Sequence, residues 1–140
     1  MARHLATAYG MVAVVFLVLD ALWLTTMTER LYRPAIGHLM QPGFAWAPAV
    51  IFYTLYVAGV VYFAVLPGLE AGQWATALGR GALLGLLAYA TYDLTNQATL
   101  KGWPWHMTLV DACWGAFATG VAAGASCWAT LHFAGDLPTR

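Results

Sequence analysis

Charge is what this chain has least of. Charged residues make up 9% of its 140 positions, against roughly 25% in a soluble domain. A soluble fold of this size could not cover its surface with so few water-compatible groups, whereas a lipid exterior removes the need. Positive charge is no better supplied: Lys and Arg total 6, balanced by 6 acids to a formal net charge of zero. That excludes the basic patch that nucleic acid binding requires. There are only two cysteines, Cys113 and Cys127, on one expected helix. At about 1.5 Å rise per residue they stand roughly 21 Å apart, too far for a disulfide within it. Nucleophile motifs of the G-x-S-x-G kind and phosphate-cradling glycine loops are both missing, as are internal repeats and low-complexity tracts.

What the chain has in quantity is apolar and aromatic residues, 61% and 14% of the total, including seven Trp and seven Tyr. Such rings, apolar at one edge and wet at the other, suit membrane interfaces. Four segments are long enough to cross a hydrocarbon core, which takes about 20 helical residues. They span about 5–27, 45–66, 81–100 and 106–131, within a single transmembrane domain over 1–140. The expected fold class is all-α, an integral membrane bundle of four transmembrane helices. Met1-Ala2-Arg3-His4 before an apolar run faintly resembles a signal peptide, but no small-residue cleavage site follows, so the run reads as an uncleaved helix. Pro48 falls in the first turn of the second helix, where its missing N–H costs little.

Loop one, 28–44, carries Glu29, Arg30, Arg33 and His38 with Pro34 and Pro42-Gly43 as breakers, and its Tyr32 and Leu39-Met40 suggest a segment lying in the interface. Loop two, 67–79, begins at Pro67-Gly68 and is expected to be partly helical near Trp74. Loop three, Lys101-Gly102-Trp103-Pro104-Trp105, is short enough to make the third and fourth helices an antiparallel hairpin. Gly81-x-x-x-Gly85 and Gly120-x-x-x-Gly124 are small-residue spacings that let backbones approach in lipid. For orientation, Arg3, Arg80 and Arg140 fall on one side and Arg30, Arg33 and Lys101 on the other. The positive-inside rule returns a tie, with loop one the denser basic cluster.

Three of the six acids, Asp20, Asp93 and Asp111, lie inside the expected spans. A charge at mid-membrane costs about 2.5–3.5 kcal/mol on insertion scales, so each needs a partner or a role. Four antiparallel helices bring the end of the first and third to the same side as the start of the second and fourth. All three acids then fall on the order of 7–10 Å inside one face. Tyr53 and Tyr56 come from the second helix at similar depth, and Arg30, Arg33, His38, Lys101 and His106 close that face from the loops. Asp20 with Trp23, and Asp111 with Trp114, share a helix face at a spacing of three, while Tyr89, Asp93, Asn96 and Leu100 form one stripe. The expected binding pocket is therefore Asp20, Trp23, Tyr53, Tyr56, Tyr89, Asp93, Asn96, Lys101, Asp111 and Trp114.

Crowded carboxylates cannot all ionise without a cation. Asp20, Asp93 and Asp111, with Asn96, are hard oxygen ligands suited to Mg²⁺, Mn²⁺ or Ca²⁺, although no recognised metal spacing such as E-x-x-H occurs. His38 and His106 at the rim are further candidates for haem or metal, and are otherwise plain interfacial histidines. The bland alternative for the aspartates is pairing with Arg30, Arg33, Lys101 or a tyrosine hydroxyl. Trp23, Trp103, Trp105 and Trp114 could stack on a flat or lipidic ligand, Trp103 and Trp105 serving more simply as interfacial anchors. No residue pattern identifies a cofactor.

The stretch Tyr92-Asp93-Leu94-Thr95-Asn96-Gln97-Ala98-Thr99-Leu100-Lys101-Gly102-Trp103-Pro104, continuing through Leu109-Val110-Asp111 and Trp114-Gly115, resembles a family of small bacterial four-helix membrane proteins catalogued as domain of unknown function 2177. Leu19-Asp20-Ala21-Leu22-Trp23-Leu24, Tyr32-Arg33, Phe52-Tyr53 and Tyr56-Val57-Ala58-Gly59 are similar to it as well. The resemblance implies a multi-pass bacterial inner-membrane protein and assigns no catalytic residue. Three functions stay open. The first is a pocket binding a small or lipid-like ligand with proton or cation linkage. The second is a membrane enzyme acting on a lipid or isoprenoid through Asp93 and Asp111. The third is an accessory subunit packed against a larger membrane complex.

Overall fold

The computed structural model describes residues 2–133. Arg140 lies outside the described residues, as do positions 1 and 134–140 of the domain expected over 1–140. Among the described residues every regular element is helical, and they form four long rods.

The first rod is Ala2–Met27, continued without a break by a π turn (Thr28–Tyr32), one α turn (Arg33–Ile36) and a 3-10 turn (Gly37–Leu39). The second is Trp46–Val60, a π turn (Val61–Val65) and Leu66–Ala71. The third is Trp74–Thr99 and the fourth Trp105–Phe133. The expected loop one is thus largely helix, and loop two shrinks to Gly72-Gln73.

Both differences have one physical cause. Pro34 and Pro67, read as breakers, each sit two residues beyond the end of a π turn. A proline inside an α-helix removes one hydrogen bond and drives its ring into the carbonyl four residues back. Those carbonyls belong to Arg30 and Phe63, inside the two π turns. The wider turn closes through Arg33 N–H to Thr28 O and Leu66 N–H to Val61 O, so the helix passes the proline without stopping. Gly68 does not stop the second helix either. It is buried where a Cβ would come within 2.7 Å of Ala77 Cβ and 2.9 Å of Cys127 Sγ. The actual stop is Gly72, at φ 63°, with Gly72 N–H to Leu69 O at 3.1 Å and Gln73 N–H to Gly68 O at 2.9 Å. This is the left-handed glycine terminus that L side chains resist.

The third and fourth helices make the closest pair. A Cβ on Gly85 would fall 1.9 Å from the Gly115 carbonyl oxygen, and one on Gly81 would fall 2.8 Å from the Thr119 carbonyl. Gly120 and Gly124 receive Ala82 and Leu78. Both small-residue spacings therefore act in this one hairpin. The first and second helices pack against it around Ala8, Val12, Phe16, Val57, Val60, Ala64, Ala118 and Ala122, all essentially without solvent contact.

Two helices, Arg3–Leu39 and Trp46–Ala71, are long and apolar enough to cross a membrane. Only 22% and 28% of their most apolar windows are buried, so the apolar side chains mostly face outward. The core helix of a soluble protein would do the opposite. The third and fourth helices, at 26 and 29 residues, have spanning length. Their glycine, threonine, asparagine and aspartate content lowers their hydropathy, and neither passes the same test.

Candidate functional site

The three aspartates are all buried, Asp20 at 7%, Asp93 at 0% and Asp111 at 5% exposure. Each has a different environment.

Asp20 accepts a short hydrogen bond from the Tyr53 hydroxyl. Tyr53 and Tyr56 are three apart on the second helix, and both rings pack against Phe16, at centroid distances of 6.3 and 5.2 Å. The Tyr56 hydroxyl passes the aspartates by and shares a 2.8 Å hydrogen bond with Thr119. Phe16 thus orients two tyrosines, one toward a carboxyl and one toward a hydroxyl on the fourth helix.

Asp111 accepts a 2.5 Å hydrogen bond from Tyr32, whose hydroxyl in turn accepts the Trp23 indole N–H at 2.8 Å. Trp23 stacks on Trp114 with centroids 4.3 Å apart and planes 9° from parallel. The chain of contacts runs from the first helix, through its π turn, to the fourth. It exists because the first helix continues beyond Met27. That continuation also buries Leu31 against Trp103 and Met107, with Trp23, Met27, Ala35, Ile36 and Val110 around them.

Asp93 has neither kind of partner. Among the described residues no donor meets either oxygen with well-formed hydrogen-bond geometry. The donor that faces it is the Trp103 indole N–H, in a looser geometry than a well-formed hydrogen bond. Trp103 is held in place from the third helix: Gln97 donates to its carbonyl at 2.7 Å while accepting Thr108 Oγ1 at 3.0 Å, and Tyr92 stands edge-on to its ring at 5.7 Å. Tyr89, on the same stripe as Asp93, packs its ring against Gly115, where a Cβ would meet it at 2.4 Å.

Several expectations need correction. Arg33 pairs with Glu29 at 2.9 Å on the surface, and among the described residues no Arg or Lys forms an ion pair with any of the three aspartates. Arg30, His38, Lys101 and His106 are exposed. Long basic side chains at the rim keep their heads in water, where desolvation is not required. Among the described residues no three His, Cys, Asp or Glu side chains converge as a metal site. Asn96 accepts the Leu100 N–H through its backbone carbonyl as the third helix ends. The open groove beside the site, about 390 Å³, is lined by Trp23, Leu109, Val110, Cys113, Trp114 and Phe117 and by no carboxylate. Two expected pocket residues face it, and the acids lie behind them.

Tyr32, Thr119, Gln97 and Thr108 are the participants that sequence reasoning missed. The sequence places Tyr32 in an interfacial loop, and only a helix running past Pro34 brings it back over the bundle. Thr119 lies in a run of alanine and glycine, where a lone hydroxyl gives no signal.

A bundle of four long helices, wrapped in outward apolar side chains around a buried carboxyl layer, belongs to the class of helical membrane proteins. The match with known families agrees and is specific: residues 5–128 match the family described as Predicted membrane protein (DUF2177), and the chain belongs to it. No curated protein and no solved structure matches the chain.

Proposed function

We propose that this is a multi-pass protein of the bacterial inner membrane, crossing with all four helices and binding a lipid-like ligand. The acyl or isoprenoid chain would occupy the groove between the first and fourth helices, and protonation of the carboxyl layer would be linked to occupancy. One observation carries this reading. The groove's lining is wholly apolar and aromatic, and its stacked Trp23 and Trp114 join the carboxyl layer through Tyr32 and Asp111. Its volume falls within the range of about 300–1,000 Å³ common for ligand sites. Below the carboxyls the bundle is filled by Val12, Phe16, Val60 and Ala122. That filling supports a one-sided binding site over a conducting path.

Cys113 lines the groove and Cys127 is buried, so maleimide labelling of the unmodified protein in lipid nanodiscs reads the groove directly. Long-chain isoprenoids should protect Cys113, with a midpoint that moves between pH 5 and 8 in wild type and stays fixed in Asp93→Asn. Labelling indifferent to every chain tested would sink the proposal. Four spans require single cysteines at Thr28 and Gly102 to label from one side and at Gly72 from the other.

A further inference from the structure

The hydrogen bonds that join the groove to the carboxyl layer run in one direction. Tyr32 donates to Asp111 at 2.5 Å, and its oxygen accepts the Trp23 indole N–H at 2.8 Å. Both hydrogens lean toward the carboxyl, and bonds aligned in this way polarise one another. An ionised Asp111 thereby pushes electron density back into the Trp23 ring and makes its face more negative. Trp114 stacks on Trp23 with centroids 4.3 Å apart, and Phe117 stands 5.7 Å from Trp114. All three rings line the groove of about 390 Å³, which offers an entering group no polar partner.

Those walls select among headgroups. A phosphate, a sugar or a primary ammonium would forfeit its hydration there and regain no hydrogen bond. An anion would in addition meet negative ring faces with a carboxyl behind them. A quaternary ammonium has no N–H to satisfy, and aromatic faces attract it, Trp most strongly. Basic residues at this end do not cancel that attraction. None lines the groove, Arg33 is paired with Glu29, and Arg30 and Lys101 are exposed, where water and salt weaken their field.

We infer, resting on the groove reading above, that its ligand is an amphiphile with a quaternary ammonium head. The head sits against the rings of Trp23, Trp114 and Phe117, favoured by Asp111 through Tyr32, and the chain runs on along the groove.

Cys113 lines the same groove, so its maleimide labelling reads occupancy in the full, unmodified chain. Dodecyl maltoside micelles suit the measurement because they carry neither charge nor ammonium. Four decyl compounds are compared at equal micelle-bound concentration. They are decyltrimethylammonium, the hydrocarbon with a quaternary carbon in place of its nitrogen, decylammonium and decyl sulfonate. Decyltrimethylammonium should protect Cys113 at about tenfold lower concentration than its neutral isostere, as a cation on desolvated rings implies. Decylammonium and the sulfonate should both be weaker than decyltrimethylammonium. Tyr32→Phe removes no wall residue but disconnects Asp111 from Trp23, so it should narrow that preference and leave protection by the neutral compound unchanged. The four-compound comparison in unmodified protein stands even if this variant does not fold. Equal protection by decyltrimethylammonium and its neutral isostere would overturn the cationic head and leave an apolar groove in place. Decylammonium matching its trimethylated form would also overturn it, because hydrogen bonding at a carboxylate would then account for the preference. A preference untouched by Tyr32→Phe would remove Asp111 from the inference. Protection by none of the four would bring down the groove reading itself.

Discussion

The two halves of the bundle are joined by different physics. The third and fourth helices approach through glycine, with Gly85 and Gly115 so close that neither has room for a methyl group. The first and second helices meet through tyrosine hydroxyls, Tyr53 on Asp20 and Tyr9 on the Thr54 carbonyl at 3.2 Å. In lipid the hydrophobic effect does not draw helices together, so close van der Waals packing and interhelical hydrogen bonds are the available means. Each half relies mainly on one of them. A glycine contact tolerates no change of volume, whereas a hydroxyl contact is lost at one atom and leaves the packing intact.

That contrast can be broken at either half. The largest effect belongs to Gly85→Ala. Its methyl group would stand 1.9 Å from a backbone carbonyl that cannot rotate away, and overpacking against backbone should cost about 3 kcal/mol or more. Thermal unfolding in detergent should show either a large fall in Tm or no folded protein; an unchanged Tm would mean the hairpin is not this tight.

Tyr53→Phe keeps the ring on Phe16 and strands Asp20, for an expected loss of about 1–3 kcal/mol. A double-mutant cycle with Asp20→Asn should recover part of that loss as coupling. Strict additivity would mean the pair contributes nothing.

Tyr32→Phe should cost a comparable amount, about 1–3 kcal/mol, since it strands both Asp111 and the Trp23 N–H while Leu31 still packs on Trp103 and Met107. Its specific signature should be faster hydrogen exchange through 28–39, with the hairpin unaffected. Uniform acceleration across the chain would refute a local tether.

The smallest effect is expected at Gly79, on the same helix as Gly81 and Gly85 but with nothing within 4 Å of an added Cβ. Gly79→Ala should leave stability within about 0.5 kcal/mol or raise it slightly, through lower unfolded-chain entropy. Loss comparable to that of Gly85→Ala would erase the distinction between lining and merely containing glycine.

Apolar run lengths alone placed four helices, because a chain this poor in charge has few other ways to satisfy its backbone in lipid. Counting residues from the helix ends put Asp20, Asp93 and Asp111 on one side, and all three are buried. The small-residue spacings likewise fell on the tightest helix pair. The partners of the acids were not legible, because they depend on where each helix stops. Pro34 and Pro67 look like stops in sequence. Only packing decides that the chain can absorb them in π turns, which delivers Tyr32 to Asp111 and extends the second helix to Gly72. The sequence by itself determined a four-helix membrane bundle, since hydropathy and helical rise are local properties. The tertiary structure decided that tyrosines rather than basic residues meet Asp20 and Asp111, and that the open groove is apolar. Charged arms on the surface keep their hydration at no cost, while the hydroxyls on buried rings need an acceptor and the carboxyls supply it.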